Sequence, residues 1–262
     1  MPKKQCIYCG DTVTRQNKSF EHTVPQWLLN YLQVKDRQLH LSDVSRRNEL
    51  VREVKHAPDT LGRNICQDCN HKWLSAIDNS CVDDVKHLSQ HGAFTGKPAL
   101  EDSIKRKLTF STFVYKICLN FISTSEFSNN YTDLYQHFFE RRIPAEGTVF
   151  FWSAYSIPSP LSVSHSNNWL VDPMTVAKMG NDEVFPSPEM FKFYVQFQNA
   201  SIVIVNTGSK RFGIAYDPNI IKPTFVIGET GLVEQKMDLL PPESIHQDNP
   251  ITRVLDSISI HI

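Results

Sequence analysis

Apolar positions recur along this chain in two rhythms, and the change from one to the other predicts its organisation. Gln26-Trp27-Leu28-Leu29-Asn30-Tyr31-Leu32 has helical apolar spacing that begins just after Pro25, where a helix can start. Residues 70–90 also read as helical, with Trp73, Leu74, Ile77, Val82 and Val85 recurring on about one face. Ile104 to Ile122 predicts a strongly apolar helix carrying Leu108, Phe110, Phe113, Val114, Ile117 and Phe121. Beyond it the period falls to two. Thr148 to Ser153 reads as a strand, and Phe191 to Phe197 alternates cleanly. Ser201 to Val205 follows across Gln198-Asn199-Ala200, which predicts an antiparallel hairpin. Phe212–Tyr216 and Thr224–Ile227 add two more strands. The aromatic residues of these segments (Phe150, Phe151, Trp152, Phe191, Phe193, Phe197) are read as a sheet burying one face rather than as base-stacking platforms.

The remaining segments are less regular. Thr12-Val13-Thr14 and Ser19-Phe20 suit the arms of a short hairpin, while Val34 to Thr60 is polar, carries little periodicity and reads as an insertion. A loop with Gly92, Gly96 and Pro98 is the candidate linker. The expected organisation is an N-terminal domain over residues 1–92, with its insertion at about 34–60, and a mixed helix and antiparallel-sheet domain over 100–262.

Composition narrows the class. A length of 262 residues suits two domains, and 40% hydrophobic with 21% charged content describes a globular chain rather than a disordered one. No apolar run approaches the roughly 20 residues a bilayer requires, so no membrane association is expected. Met1-Pro2-Lys3-Lys4-Gln5-Cys6 has no apolar core of a secretory signal, which makes the cytoplasm the expected compartment. Six cysteines in such a compartment argue against a disulfide framework. The net charge of -1 gives no general affinity for polyanions. Basic residues nonetheless concentrate in the N-terminal part, from Lys3 and Lys4 through Arg46 and Arg47 to Arg63 and Lys72. That bias suits phosphate contact, though on charge alone a solvated surface is the favoured reading.

Four of the cysteines carry the strongest chemical signal. Cys6-x-x-Cys9 and Cys66-x-x-Cys69 each offer two soft ligands, and together they predict a structural four-cysteine Zn²⁺ site. Cys118 lies in the apolar run Phe113-Val114-Tyr115-Lys116-Ile117-Cys118 and is read as a buried structural thiol. Cys81 has no nearby thiol or basic pair to activate it. The two knuckles bracket Phe20-Glu21-His22-Thr23-Val24-Pro25, and the second runs directly into Asn70-His71-Lys72-Trp73. An acid, an imidazole and an amide are thus left free to hold a second metal and to activate water. Successive strand residues face opposite sides, so Glu21 and His22 diverge unless the backbone is irregular there.

Glu21-His22-Thr23-Val24-Pro25-Gln26 resembles the Asp/Glu-His-x-x-Pro element of the HNH, or ββα-metal, nucleases. Cys66-Gln67-Asp68-Cys69-Asn70 resembles the Cys-x-x-Cys-His/Asn element of the zinc-containing branch of that family. The resemblance covers about the first ninety residues. It implies an α+β chain in which a zinc-stapled ββα-metal domain precedes the mixed helix and sheet domain. By this resemblance His22 is the general base, Glu21 the acidic ligand of a catalytic Mg²⁺ or Mn²⁺, and Asn70 the helix residue that completes that site. Cys6, Cys9, Cys66 and Cys69 match the structural zinc ligands, His71 and Lys72 stand where phosphate contacts are expected, and Trp73 is expected to pack the helix against the zinc lobe. Asn64 and Asn48 are candidates for the family's middle asparagine, and His40 and His56 are read as exposed loop histidines.

The implied substrate is DNA, expected to be double-stranded, in a setting such as phage defence or restriction. The C-terminal domain is expected to serve target recognition, regulation, a protein partner or homo-oligomerisation. A phosphodiester has a poor anionic leaving group, so one hard cation on oxygen ligands and a histidine titrating near neutrality are the groups its hydrolysis calls for. Two rival readings stand beside this one: a non-catalytic zinc module that binds DNA or protein, and an RNA nuclease.

Overall fold

The computed structural model describes residues 4–34, 40–44, 50–54, 64–92, 100–125, 128–153, 155–171, 189–208, 213–228, 231–234, 243–244 and 250–261. Asn48, His56, Gly96 and Pro98 lie outside these residues. The architecture is α+β, with two compact units. No helix among the described residues is long and apolar enough to cross a membrane.

The first unit comprises Met1–Leu39, Val54–Lys86 and Gly96–Ala145. Its first helix, α1 (Gln26–Tyr31), starts directly after Pro25, as the spacing predicts. It ends in a Schellman arrangement: Gln33 takes a left-handed φ of 54°, its N–H donates to Asn30, and the Val34 N–H reaches back to Leu29. The second knuckle opens a π-helical turn, Cys69–Leu74, that continues as α2 (Ser75–Ser80) and, after a break at Cys81, as α3 (Val82–His91). α4 (Leu100–Ile122) is the long apolar helix. Every residue from Phe110 to Ser123 is buried, so this stretch is enclosed on all sides. A short 3₁₀ turn and α5 (Thr132–Arg141) complete the unit. Trp27 packs on Phe113, and Tyr115 on Phe138, with ring centroids 6.0 Å and 5.4 Å apart.

The second unit, His40–Glu53, His87–Thr95 and Glu146–Ile262, is built on sheets. Its strands are β1 (His40–Val44), β2 (Leu50–Val54), β3 (Val149–Ser153), β4 (Tyr155–Ser156), β5 (Leu161–Ser166), β6 (Leu170–Val171), β7 (Phe191–Phe197), β8 (Ala200–Asn206), β9 (Gly213–Tyr216), β10 (Ile221–Gly228), β11 (Gly231–Glu234), β12 (Glu243–Ser244) and β13 (Ile258–His261), with α6 (Pro250–Asp256) before the last. The main sheet runs β11-β10-β3-β8-β7-β5-β1-β2, beside a β12-β4 pair and a β6-β13-β9 sheet. The predicted hairpin is β7–β8, with Phe197 opposite Ala200 and Gln198 turning at a φ of 50°.

Several expectations are corrected. β7 and β8 are buried along their whole length, so the sheet hides both faces there rather than one. The polar residues of β7 find partners under that cover: the Lys192 ammonium caps α6 through the Leu255 carbonyl at 2.5 Å, and the Gln196 amide donates to the carbonyls of Ile157 and Ser159. The segment read as an insertion supplies β1, which pairs in parallel with β5, so the sheet is mixed rather than antiparallel throughout. Thr12 bridges Gln5 and Lys18 bridges Cys66, so the expected hairpin arms each pair with a cysteine knuckle.

α4 and α5 cluster with the N-terminal unit. Glycine and proline punctuate turns whether or not a domain ends there. What ties α4 to the first unit is a set of buried polar side chains, described next.

Candidate metal centre and adjoining cleft

The two knuckles converge. Cys6, Cys9, Cys66 and Cys69 place their sulfurs within 4.8 Å of one another, with Cys6 to Cys69 at 3.8 Å and Cys9 to Cys66 at 3.7 Å. A tetrahedral ion with zinc–sulfur bonds of about 2.3 Å sets its sulfurs about 3.8 Å apart, so both the donor set and the spacing fit zinc. Backbone geometry makes the cluster. The Cys6 N–H donates to the Asp11 carbonyl and the Gly10 N–H back to Cys6, which curls the first knuckle. Gly10 takes a φ of 77° in that turn, which a side chain would strain. The Cys66 N–H donates to the Cys6 sulfur at 3.5 Å and the Cys69 N–H to the Cys66 sulfur at 3.4 Å, stabilising negative sulfur. Contact with Cys69 draws the Cys6 thiol down to about 5, and the same contact pushes Cys69 up. A cation bound by these sulfurs would take the place of their protons.

Aromatic packing holds the second knuckle's helix in place, as expected for Trp73. Its ring lies edge-on to Tyr8, 5.1 Å between centroids, and the Arg142 guanidinium stacks on it at 3.9 Å. Cys118 and Cys81 are both buried. Burial raises both thiols.

Beside the cysteines lies a cleft of about 420 Å³ lined by Phe20, Glu21, His22, Asn70, Asp78 and Asn79, among others. Glu21 and His22 both line this cleft rather than opposite faces, and the chain bends directly after them at Thr23 and Val24. The Gln26 amide nitrogen lies 3.0 Å from His22 Nε2, which accepts, while the imidazole also bonds the Phe20 carbonyl. Burial lowers the pKa of His22 below the usual imidazole value, and the neighbouring Glu21 charge offsets this only in part. Asn70 enters from the π-helical turn, where its carbonyl accepts from the Ser75 hydroxyl. His71 and Lys72 sit exposed on the same turn and are not among the lining residues; Lys72 pairs with Asp68 at 3.1 Å. Asn64 adopts a left-handed φ of 53° and its carbonyl accepts from the Ile7 N–H.

The floor of the cleft is a polar network that the motifs did not announce. The Lys116 ammonium, wholly buried on α4, pairs with Glu21 Oε1 and with both Asp78 oxygens, at 2.9 Å and 2.7 Å. Asn120, one turn further along α4, donates to Glu21 Oε1 at 3.2 Å and accepts from the Tyr8 hydroxyl at 2.6 Å. Burial penalises the Lys116 ammonium, but Asp78 and Glu21 outweigh that cost and hold its pKa above the ordinary value. Burial raises Asp78 to about 6 despite the attraction of Lys116. The one signal available beforehand was a lysine inside Phe113-Val114-Tyr115-Lys116-Ile117-Cys118, since a charge in a buried helix requires a partner.

The Glu21 and Asp78 carboxylates and the Asn70 and Asn79 amides line the cleft, and oxygen donors are the ligand type that Mg²⁺ or Mn²⁺ prefers. Among the described residues, the four cysteines are the one group of His, Cys, Asp or Glu already converged for a metal. Comparison of the chain with protein-family models, curated proteins and solved structures finds no match.

Proposed function

We propose that this chain is a metal-dependent endonuclease of the HNH type, acting on DNA, with a four-cysteine zinc staple. The observation that carries the reading is the meeting of Glu21, His22 and Asn70, drawn from both sides of the cysteine cluster, along one cleft. In this reading the attacking water displaces the Gln26 amide from His22 Nε2, and that nitrogen takes its proton. Its lowered pKa keeps the imidazole neutral and able to accept near pH 7. The bond to the Phe20 carbonyl fixes the ring's orientation. Glu21 and Asn70 would hold a divalent cation, which would neutralise charge on the phosphate and polarise the leaving oxygen. The exposed His71 and Lys72 provide phosphate contacts at the margin of the site.

The test is cleavage of supercoiled plasmid by zinc-loaded protein with Mg²⁺ or Mn²⁺, beside EDTA and a His22→Ala variant. Metal-dependent nicking that the variant loses is the expected result. Equal inertness of two folded, zinc-loaded proteins would refute catalysis under these conditions. It would favour the rival of a non-catalytic zinc module, whose one structural support is that Lys116 and Asn120 already satisfy Glu21. Parallel RNA substrates distinguish the RNA nuclease.

A further inference from the structure

An ammonium has three N–H donors, and Lys116 meets three carboxylate oxygens with them: Glu21 Oε1, Asp78 Oδ1 and Asp78 Oδ2. Its side chain is 0% exposed, and Asn120 and Tyr8 extend the bonding on the buried side. Two carboxylates lining one cleft repel each other unless a cation stands between them, and here the chain supplies that cation from α4. A divalent ion bound through Glu21 therefore meets a fixed positive charge on the far side of the same carboxylate.

We propose that Lys116 is a positioning residue that stands in for the metal: it holds Glu21 and Asp78 ready while the cleft is empty, and it sets the metal concentration the site requires. The inference rests on the reading of Glu21 as a ligand of the catalytic cation. Its consequence runs opposite to that of a purely structural lysine. Loss of a structural support loosens the site and weakens cation binding. Loss of a competing charge strengthens it, by on the order of tenfold for a unit charge a few ångströms from a divalent ion.

The experiment is calorimetric titration of Mn²⁺ into the full zinc-loaded chain, comparing wild type with Lys116→Met, and Asp78→Asn with the double variant Asp78→Asn/Lys116→Met. The second pair guards against a single variant that fails to fold, because there the buried positive and negative charges are removed together. Binding about tenfold tighter in the lysine-free member of a pair supports the proposal. Equal or weaker binding overturns it. A Glu21→Gln variant separates this from the underlying reading: Mn²⁺ binding that survives Glu21→Gln, or an absence of binding in wild type, overturns Glu21 as a ligand and the role of Lys116 with it.

Discussion

Tyr8 donates its hydroxyl to Asn120 Oδ1 at 2.6 Å across 112 residues of sequence. Tyr8 sits between the two cysteines of the first knuckle, and the amide nitrogen of the same Asn120 donates to Glu21. The cysteine cluster and the cleft carboxylate are therefore joined by two hydrogen bonds through one buried side chain. Burial above all, with the nearby Glu21 carboxylate, holds the Tyr8 phenol well above its ordinary pKa, so it remains a donor. The first knuckle does more than supply two cysteines, since its Tyr8 fixes the residue that orients Glu21.

Tyr8→Phe removes that donor while keeping the ring that packs on Trp73 and Tyr135. The Asn120 oxygen is left buried without this partner, and a group so stranded costs about 1–3 kcal/mol. Urea unfolding should report a loss of that size with an unchanged m-value. Wild-type stability in the variant would mean that the bond contributes nothing net.

Removing zinc should cost far more. Where thiolates and fold form together, binding energy is folding energy. Chelation, or Cys69→Ser, is expected to abolish the ordered environment of Trp73, which lies on the helical turn that Cys69 opens and against Tyr8. Near-UV circular dichroism and tryptophan fluorescence check this, and restoration on adding Zn²⁺ completes the test. Spectra unmoved by chelation would remove zinc from the account.

How much of this was legible follows from where each interaction lies in the sequence. The knuckles, the Glu21–His22 step, α1 and the β7–β8 hairpin were readable because each is defined by residues only a few positions apart. The floor of the cleft was not. Lys116 and Asp78 are 38 residues apart and Asn120 and Glu21 are 99, and no local period records such a pairing. Apolar spacing identified α4 as buried but gave no sign of what it would be buried against. β1 was missed for a related reason. A polar segment joins the sheet only through its parallel partner β5, more than a hundred residues later, whose Ser164 hydroxyl lies 2.8 Å from that of Ser42.

The Lys116–Asp78 pair makes a prediction about acid. Burial raises Asp78 from 3.8 to about 6, so between those values the folded chain holds a proton that the unfolded chain has released. A group with a raised folded pKa contributes stability that is full below its unfolded value and is lost as pH rises through the folded one. The Asp78 contribution should therefore fall by about 2 kcal/mol between pH 4 and pH 6, out of about 3 kcal/mol over the whole titration. Asp78→Asn abolishes this titration. The difference in unfolding free energy between wild type and variant, measured across that window, isolates it from cysteine protonation common to both. A difference flat with pH would show that the carboxylate stays ionised beside Lys116.

The His22 prediction has the opposite sense. Burial favours the neutral imidazole, and Lys116 adds to that, while Glu21 and the bond to the Phe20 carbonyl oppose it and leave a pKa below the usual 6.5. A general base must be deprotonated to act, so the cleavage rate should climb tenfold per pH unit in the acid limb and level off below pH 6.5. A cation held by Glu21 pushes the imidazole in the same direction, because it removes the opposing charge. His22→Ala should cut the plateau rate by about 10²–10⁴-fold, the range general-base catalysis contributes, and should erase the acid limb. Single-turnover cleavage across pH 5–8 with saturating Mn²⁺ reads both effects together. A limb that persists in His22→Ala would belong to another group, and the base would have to be sought elsewhere along the cleft.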